Sequence, residues 1–231
     1  MKYLLMLLAI IVCTAVSRAQ ETTEHSMQGG RVYFEMASGS QQYSPASPGQ
    51  WSFRLGAGAD AAFGNIYTAG KYTLAGIEQR AGDDFPQSLV SFFRLGGGWF
   101  FQDRYGRRSL TPMVAAGHVS DRVMPQPGKT HLQFDGWGLT PGLEARYVLQ
   151  SSFDPRAGSS SSVWWSTHFV QIEMHRVLSR RAYTAVSLSY NIVFNGFHLA
   201  VSAEYNTLEQ GPRGWMAGLV LGFSWFHYSV R

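Results

Sequence analysis

The stretch that decides the fold is Gly196–Tyr205, which reads GFHLAVSAEY. Its apolar positions alternate with polar or small ones such as His198 and Glu204. A period of two places the two sets on opposite faces of a β-strand. The dipeptide Asn195-Gly196, at the start of the stretch, is the strongest short-range signal for a tight hairpin. The sequence therefore predicts antiparallel strands that each have one apolar and one polar face.

The uncharged run 182–203 contains this hairpin and is long enough to suggest a transmembrane helix. Its interior argues against a helix, because Ser187, Ser189 and Asn191 alternate with apolar neighbours. Two strands joined by a turn account for the run better. A tilted strand needs about ten residues to cross the hydrocarbon layer of a membrane, which is the length available on each side of the turn.

The same alternation recurs along most of the chain, as in 51–63 and 215–225. Ten strand candidates lie near 31–37, 50–62, 66–79, 88–101, 109–119, 130–149, 162–177, 182–194, 196–205 and 214–229. The predicted fold is all-β, a single antiparallel up-and-down transmembrane β-barrel of about ten strands. Eight strands is the alternative, because a bulge or an additional turn at Gly136-Trp137-Gly138, where the apolar phase shifts, would change the count.

The first residues have the features of a secretory signal peptide. Lys2 is basic, 3–12 is apolar, and Ala19 is a small residue at the expected cleavage site. The single cysteine, Cys13, would be removed with the signal, which leaves no disulfide chemistry. The expected organisation is a signal peptide at 1–19 and an outer-membrane β-barrel domain at 20–231, with both termini in the periplasm.

The composition excludes some functions. Removal of Lys2 and Arg18 with the signal leaves 17 basic side chains against 15 acidic ones. Such a small and dispersed surplus gives no support to nucleic-acid binding. The histidines share no metal-ligand spacing, so no metal and no other cofactor is expected.

The polar faces of the predicted strands carry charged residues of both signs. We expect these side chains to point into one shared lumen: Glu35, Arg54, Asp60, Arg94, Glu144, Arg146, Glu173 and Glu204. A buried charge without a partner costs several kcal/mol, so the expected arrangement is a network of ion pairs that fills the lumen. The alternative is a polar channel lined by the same groups. Barrels of about eight strands are usually filled by side chains, whereas aqueous pores have about sixteen strands.

Two segments resemble strands of a known group of proteins. Thr111–Gly117 reads TPMVAAG and Gly138–Tyr147 reads GLTPGLEARY. They are similar to strands of the small OmpA-like and opacity-type bacterial outer-membrane barrels, and the end of the signal at Ala19-Gln20 is similar to Bacteroidetes-type exported proteins. The resemblance implies location in the outer membrane, contact with membrane lipid and lipopolysaccharide, and insertion by the barrel-assembly machinery. A protein partner is not indicated.

One residue pair could carry chemistry. His118 and Ser120 are two positions apart and share one face of a strand, so the imidazole could activate the hydroxyl as a nucleophile. The pair resembles the His-x-Ser pair of outer-membrane acyl hydrolases, which act on lipid A or phospholipids. In those families an asparagine usually follows the serine, but Asp121 follows it here. Asp135 and Glu144 are both predicted to point inward, which leaves the pair without an orienting group.

Three functions are consistent with the sequence. The favoured one is a non-enzymatic outer-membrane barrel with an envelope-structural, surface-interaction or limited small-solute channel role. The second is an outer-membrane acyl hydrolase that uses His118 and Ser120. The third is a soluble lipocalin-like barrel, whose apolar face would point inward around a ligand. The orientation of Arg54, Glu144 and Glu204 distinguishes the first function from the third.

Overall fold

The computed structural model describes residues 27–42, 49–77, 87–103, 107–126, 129–151 and 166–225. The predicted signal peptide at 1–19 lies outside these residues. The described part is built of β-strands, and it contains no helix long and apolar enough to cross a membrane.

The described residues form eleven β-segments in chain order. Their bounds are β1 Met27–Gln42, β2 Gln50–Gly64, β3 Ile66–Ile77, β4 Gln87–Trp99, β5 Phe101–Gln102, β6 Arg108–Gln126, β7 Lys129–Ser151, β8 Ser166–Val177, β9 Tyr183–Phe194, β10 Phe197–Leu208 and β11 Arg213–Ser224. The two-residue β5 continues β4 after Phe100, and both segments pair with β6. The eleven segments therefore form ten strands of the barrel.

Each strand pairs antiparallel with its neighbour along the chain, and β1 also pairs with β11. The pairing of β4 with β6 completes the ring. The sheet is thus a closed barrel with no free edge between first and last strands. The predicted all-β, up-and-down barrel of ten strands is confirmed, and the alternative of eight strands is wrong.

The two ends of the barrel differ. We call one the turn end, where Asn65 and Asn195-Gly196 connect strands, β1 begins and β11 ends. We call the other the loop end, where β1 ends at Gln42 and β10 ends at Leu208.

β7 contains a bulge, but it does not lie at Gly136-Trp137-Gly138, where the sequence suggested a bulge or a turn. Gly136 and Gly138 pair in register with β6. The register shifts instead where Asp121 pairs with Phe134 and Arg122 with Leu132, so that β7 carries one extra residue. The apparent phase shift in the sequence arises because Phe134 is apolar and yet points into the lumen, where it is buried.

The β9–β10 turn has the backbone that its sequence predicts. Asn195 has φ 47° and Gly196 has φ 88°. Positive φ at both central residues defines the type I′ turn, whose twist matches that of the flanking strands. The amide of Ser224 donates to the Gly196 carbonyl at 2.7 Å, which ties this turn to β11.

Gly196→Ala is expected to lower the free energy of unfolding by about 1–2 kcal/mol, because a Cβ atom disfavours this left-handed backbone. The measurement is urea unfolding of the barrel in lipid vesicles, followed by tryptophan fluorescence. Gly76→Ala is the matched control, since a Cβ atom at Gly76 meets open space and its φ is not positive. Equal midpoints for the two variants would contradict the role assigned to this turn.

Candidate functional site

The middle of the lumen is a polar layer made of charged side chains. The eight residues expected there from the sequence are all buried, between 2% and 9% exposed: Glu35, Arg54, Asp60, Arg94, Glu144, Arg146, Glu173 and Glu204. Arg31 and Lys71 join them, which gives five cationic and five anionic side chains. We call these ten residues the lumen network. Its equal numbers of opposite charges allow each charged group of the network to have a partner.

One half of the lumen network is centred on Arg54 of β2. Its guanidinium contacts Glu35 of β1 and, across the lumen, Glu204 of β10. Lys71 Nζ of β3 lies 2.8 Å from the second oxygen of Glu35. Four strands are thereby joined through one group of charges. A planar guanidinium can bridge two carboxylates at once, which a lysine ammonium does less well.

The other half of the network spans β4, β7 and β8. Arg94 of β4 contacts Glu173 of β8 across the lumen. Arg146 Nε lies 2.5 Å from Glu144 Oε1 on the same strand. Glu144 also accepts a hydrogen bond of 3.1 Å from Gln171 Nε2. Of these contacts, the one between Arg94 and Glu173 connects strands that are not neighbours in the sheet.

Two further contacts close the network towards the turn end. Arg31 Nε donates to Asp60 Oδ2 at 3.0 Å. Tyr67 Oη lies 3.2 Å from Glu144 Oε2, so this phenol of β3 reaches the carboxylate of β7. Sequence reasoning missed Arg31 and Lys71. Both have the inward parity of their strands, since Arg31 is four positions from Glu35 on β1 and Lys71 is four from Tyr67 on β3.

Apolar layers lie above and below the network. The layer near the turn end consists of Ala62, Tyr67, Phe100, Met113, Val148, Phe169 and Val193. The layer near the loop end consists of Val90, Phe92, Val119, Phe134, Val177, Tyr183, Ala185 and Leu208. Phe92 stacks on His175 at 4.9 Å and on Tyr183 at 5.0 Å between ring centroids. The lumen is therefore filled in three layers, of which the outer two are mainly apolar and also hold buried polar side chains such as Asp121 near the loop end and Asn191 near the turn end.

A polar cavity of about 40 Å³ lies in the lumen between the network and β8–β11. It is bordered by Arg31, Gln171, Ser189, His198 and Ser202, among others. His198 Nε2 is 2.9 Å from Asn191 Oδ1, which fixes the ring at the cavity wall. A cavity of this size holds about two or three water molecules and no larger solute.

The outside of the barrel is apolar. Exposed side chains include Phe34 at 71%, Leu95 at 60%, Phe197 at 62% and Trp215 at 64%. Soluble monomers rarely expose a continuous apolar surface larger than a few hundred Å². Exposed aromatic residues occur near both ends, with Trp51, Trp137 and Trp215 towards the loop end and Phe63, Trp99, Phe197, Phe223 and Trp225 towards the turn end.

His118 and Ser120 lie together on this outer face, in the loop-end half of β6. The structure corrects the expected position of Asp135, which faces outward and is half exposed. His118 Nε2 lies 2.5 Å from Asp135 Oδ1, and the ring packs on Trp137 at 4.8 Å between centroids. Glu144 points inward, as expected. Asp121, directly after Ser120, is fully buried and has the inward parity of β6, so it takes no part in this outer cluster.

Ser120 makes a side-chain hydrogen bond to β4, the strand on the other side of β6 from Asp135. Its Oγ lies 2.7 Å from Ser91 Oγ of β4, and Ser120 is 5% exposed. Asp135 is the Cα partner of Ser120 across the β6–β7 ladder. The contact of His118 with Asp135 is therefore diagonal and brings the imidazole towards the level of Ser120.

The described residues contain no group of three or more His, Cys, Asp or Glu side chains that could hold a metal ion.

The protein is thus a closed ten-stranded antiparallel β-barrel with a filled lumen and an apolar exterior.

No protein-family model and no curated protein matches the chain. Among solved structures it is similar to the β-domain of the Bordetella autotransporter BrkA, with 13% identity over 85% of this chain and 100% of that chain and a TM-score of 0.47. It is also similar to Ail, the attachment invasion locus protein of Yersinia pestis, with 11% identity over 86% and 99% of the two chains and a TM-score of 0.38.

The translocator domain of the autotransporter NalP from Neisseria meningitidis is similar at 12% identity, over 93% of this chain and 95% of that chain, with a TM-score of 0.44. At these values no activity of those proteins carries over to this chain.

Proposed function

We propose that this protein is an outer-membrane β-barrel with a closed lumen and an envelope-structural role. The observation that carries the proposal is the filling of the lumen by the network and its two apolar layers. A solute would have to separate buried ion pairs and displace two packed layers, which is costly at each step. The protein would therefore act through its outer surface and not as a channel.

The exterior supports the membrane location. Trp215 and Trp225 are exposed and ten positions apart on one face of β11 and the residue after it. At about 3.3 Å a residue and a tilt of about 40°, this spacing corresponds to about 25 Å along the barrel axis. An apolar band about 25 Å tall between two aromatic girdles is typical of outer-membrane barrels.

The orientation of the charges disfavours the soluble alternative. A lipocalin-like barrel would place an apolar surface around a ligand and its charges in water. Here Arg54, Glu144 and Glu204 are buried in the lumen, whereas Leu199 and Leu221 are exposed outside. Exposure of this apolar exterior to water is unfavourable, whereas contact with the hydrocarbon layer of a membrane is favourable.

The predicted signal peptide at 1–19 and the strand connections orient the protein in this proposal. Three of the four strand connections at the turn end are short, at 65, 103–107 and 195–196, and the fourth is the longer segment 152–165. On the three short turns we assign the turn end to the periplasm and the loop end to the outside. Lipid and lipopolysaccharide would contact the wall, and the barrel-assembly machinery would insert the chain. These contacts follow from the membrane location and involve no cofactor.

Planar-bilayer recording of the refolded protein tests the closed lumen. We expect no stable current steps from protein that has first been shown to be folded and inserted by its heat-modifiable gel mobility. A porin in the same bilayers is the control for detection. Reproducible single-channel steps from the folded protein would overturn the closed-lumen proposal.

A further inference from the structure

The outer face of β8–β11 carries a row of four polar side chains near the loop end. We call it the rim row, and its members in strand order are Arg176, Thr184, Thr207 and Arg213. Each is the Cα partner of the next one on the adjacent strand. Each also has the same parity along its strand as an exposed wall residue, such as Val201 of β10 and Trp215 of β11. The rim row therefore lies on the outside of the barrel, with an arginine at each end and two threonines between them.

The row directly beneath, two residues towards the turn end, is apolar. Its members are Met174, Val186, Tyr205 and Trp215, which pair across the same strands. The rings of Tyr205 and Trp215 pack at 5.0 Å between centroids. Tryptophan and tyrosine are enriched where the hydrocarbon layer meets the head groups. In the proposed membrane the rim row therefore lies where the apolar wall ends and the head groups begin.

The two arginines of the rim row lack protein partners in the part of the chain that the structure describes. Every cation of the lumen network contacts a carboxylate, whereas neither Arg176 nor Arg213 forms an ion pair with a described residue. Glu209, two positions after Thr207, instead accepts a hydrogen bond of 3.2 Å from the amide of Ala182. An arginine on a lipid-facing wall is tolerated where its guanidinium reaches the head groups. The rim row thus needs anions from its surroundings.

We propose that the rim row binds the two phosphates of a diphosphorylated glycolipid head group, the chemistry of lipopolysaccharide. This inference rests on the proposed membrane location and orientation. Three strand spacings of about 4.8 Å separate Arg176 from Arg213, which is about 14 Å along the row. Two arginines that extend from the wall at this separation fit phosphates at the two ends of one disaccharide. A guanidinium forms paired hydrogen bonds with phosphate oxygens, which adds specificity to the attraction of opposite charges.

The threonines and the apolar row complete the fit to such a lipid. The hydroxyls of Thr184 and Thr207 lie between the arginines, where they can donate hydrogen bonds to sugar hydroxyls and accept them. Beneath them, Val186, Tyr205 and Trp215 offer an apolar surface to the acyl chains of the same molecule. A phospholipid with a single phosphate has no second group for the other arginine. The number of phosphates on the head group therefore decides the affinity.

The test measures lipid binding by the folded, full barrel in detergent micelles, after heat-modifiable gel mobility has shown that it is folded. Native mass spectrometry counts bound lipid during titration with diphosphoryl lipid A, monophosphoryl lipid A or phosphatidylglycerol. We expect diphosphoryl lipid A to bind about tenfold more tightly than the other two, because it makes a second charge-assisted contact. Equal affinities for the three lipids would overturn the inference, as would tighter binding of phosphatidylglycerol.

Variants of the two arginines locate the site. Arg176→Ala and Arg213→Ala should each abolish the preference for diphosphoryl lipid A, whereas Arg176→Lys, which keeps the charge but not the paired donors, should retain part of it. Arg108→Ala is the matched control, because Arg108 is an exposed arginine at the turn end of β6. It removes the same charge and should leave the preference unchanged. An equal loss in this control would mean attraction by net charge alone and would overturn the site.

The rim row and the closed lumen fail by different results. Equal lipid affinities in folded protein that is silent in planar bilayers would overturn the rim-row site alone. Current steps from protein that keeps its preference for diphosphoryl lipid A would overturn the closed lumen alone.

Discussion

Arg54→Met is expected to lower the free energy of unfolding by about 3–5 kcal/mol, the typical cost of leaving a buried charge without its partner. Arg54 contacts both Glu35 and Glu204 in the lumen. Glu35 keeps Lys71 after the substitution, at 2.8 Å. Glu204 loses its ion-pair partner and keeps a 3.5 Å contact from Asn206 Nδ2. Most of the destabilisation should therefore come from Glu204.

The double variant Arg54→Met with Glu204→Gln tests that assignment. Neutralising Glu204 removes the uncompensated charge, so the double variant should be more stable than Arg54→Met alone. Urea unfolding in lipid vesicles gives the four free energies of a double-mutant cycle, for the unsubstituted protein, Arg54→Met, Glu204→Gln and the double variant. Arg180→Met is the control, since Arg180 is exposed in the β8–β9 turn and should change stability by about 0.5 kcal/mol or less. A double variant less stable than either single one would contradict the assigned pairing.

The periodicity of the sequence was sufficient for the fold. Alternation and the Asn195-Gly196 turn predicted the number of strands, their order and the faces of all eight expected lumen residues. The bounds of β1 were less predictable: it extends from Met27 to Gln42, whereas alternation indicated only 31–37. The segment Ser38–Gln42 is small and polar, so its pattern gives no signal. It is a strand because β2 and β11 pair with it on both sides.

Alternation along the strands did not predict which charged side chains of the lumen network pair with one another. The alternation along β4 places Arg94 in the lumen. Its partner Glu173 lies three strands away around the barrel. Their contact therefore depends on the tilt of the strands between them. Asp135 was assigned to the wrong face for a related reason. Phe134 is apolar, which suggests that it faces lipid, but it packs in the apolar layer near the loop end. A filled barrel has apolar residues on both faces, and alternation cannot separate the two.

Val201→Arg is expected to lower the free energy of unfolding in lipid by about 2–4 kcal/mol, because it places a cation on the lipid-facing wall near mid-membrane. Val201 is exposed near the middle of β10, opposite Leu219 and Tyr190. The substitution alters no lumen contact, since the side chain points away from the network. The expected loss of unfolding free energy therefore depends on the medium around the barrel and not on its internal packing.

Thr207→Arg is the matched control, on the same strand and the same face but near the loop end. An arginine there can reach the interfacial region, so its cost should be about 0–1 kcal/mol. On the exterior of a soluble barrel both arginines would be solvated and both changes would be about 0.5 kcal/mol or less. Unfolding titrations of the two variants in lipid vesicles measure the difference. A large cost at Val201 with a small one at Thr207 requires a low-dielectric layer around the middle of the barrel, whereas equal small costs would contradict the membrane location.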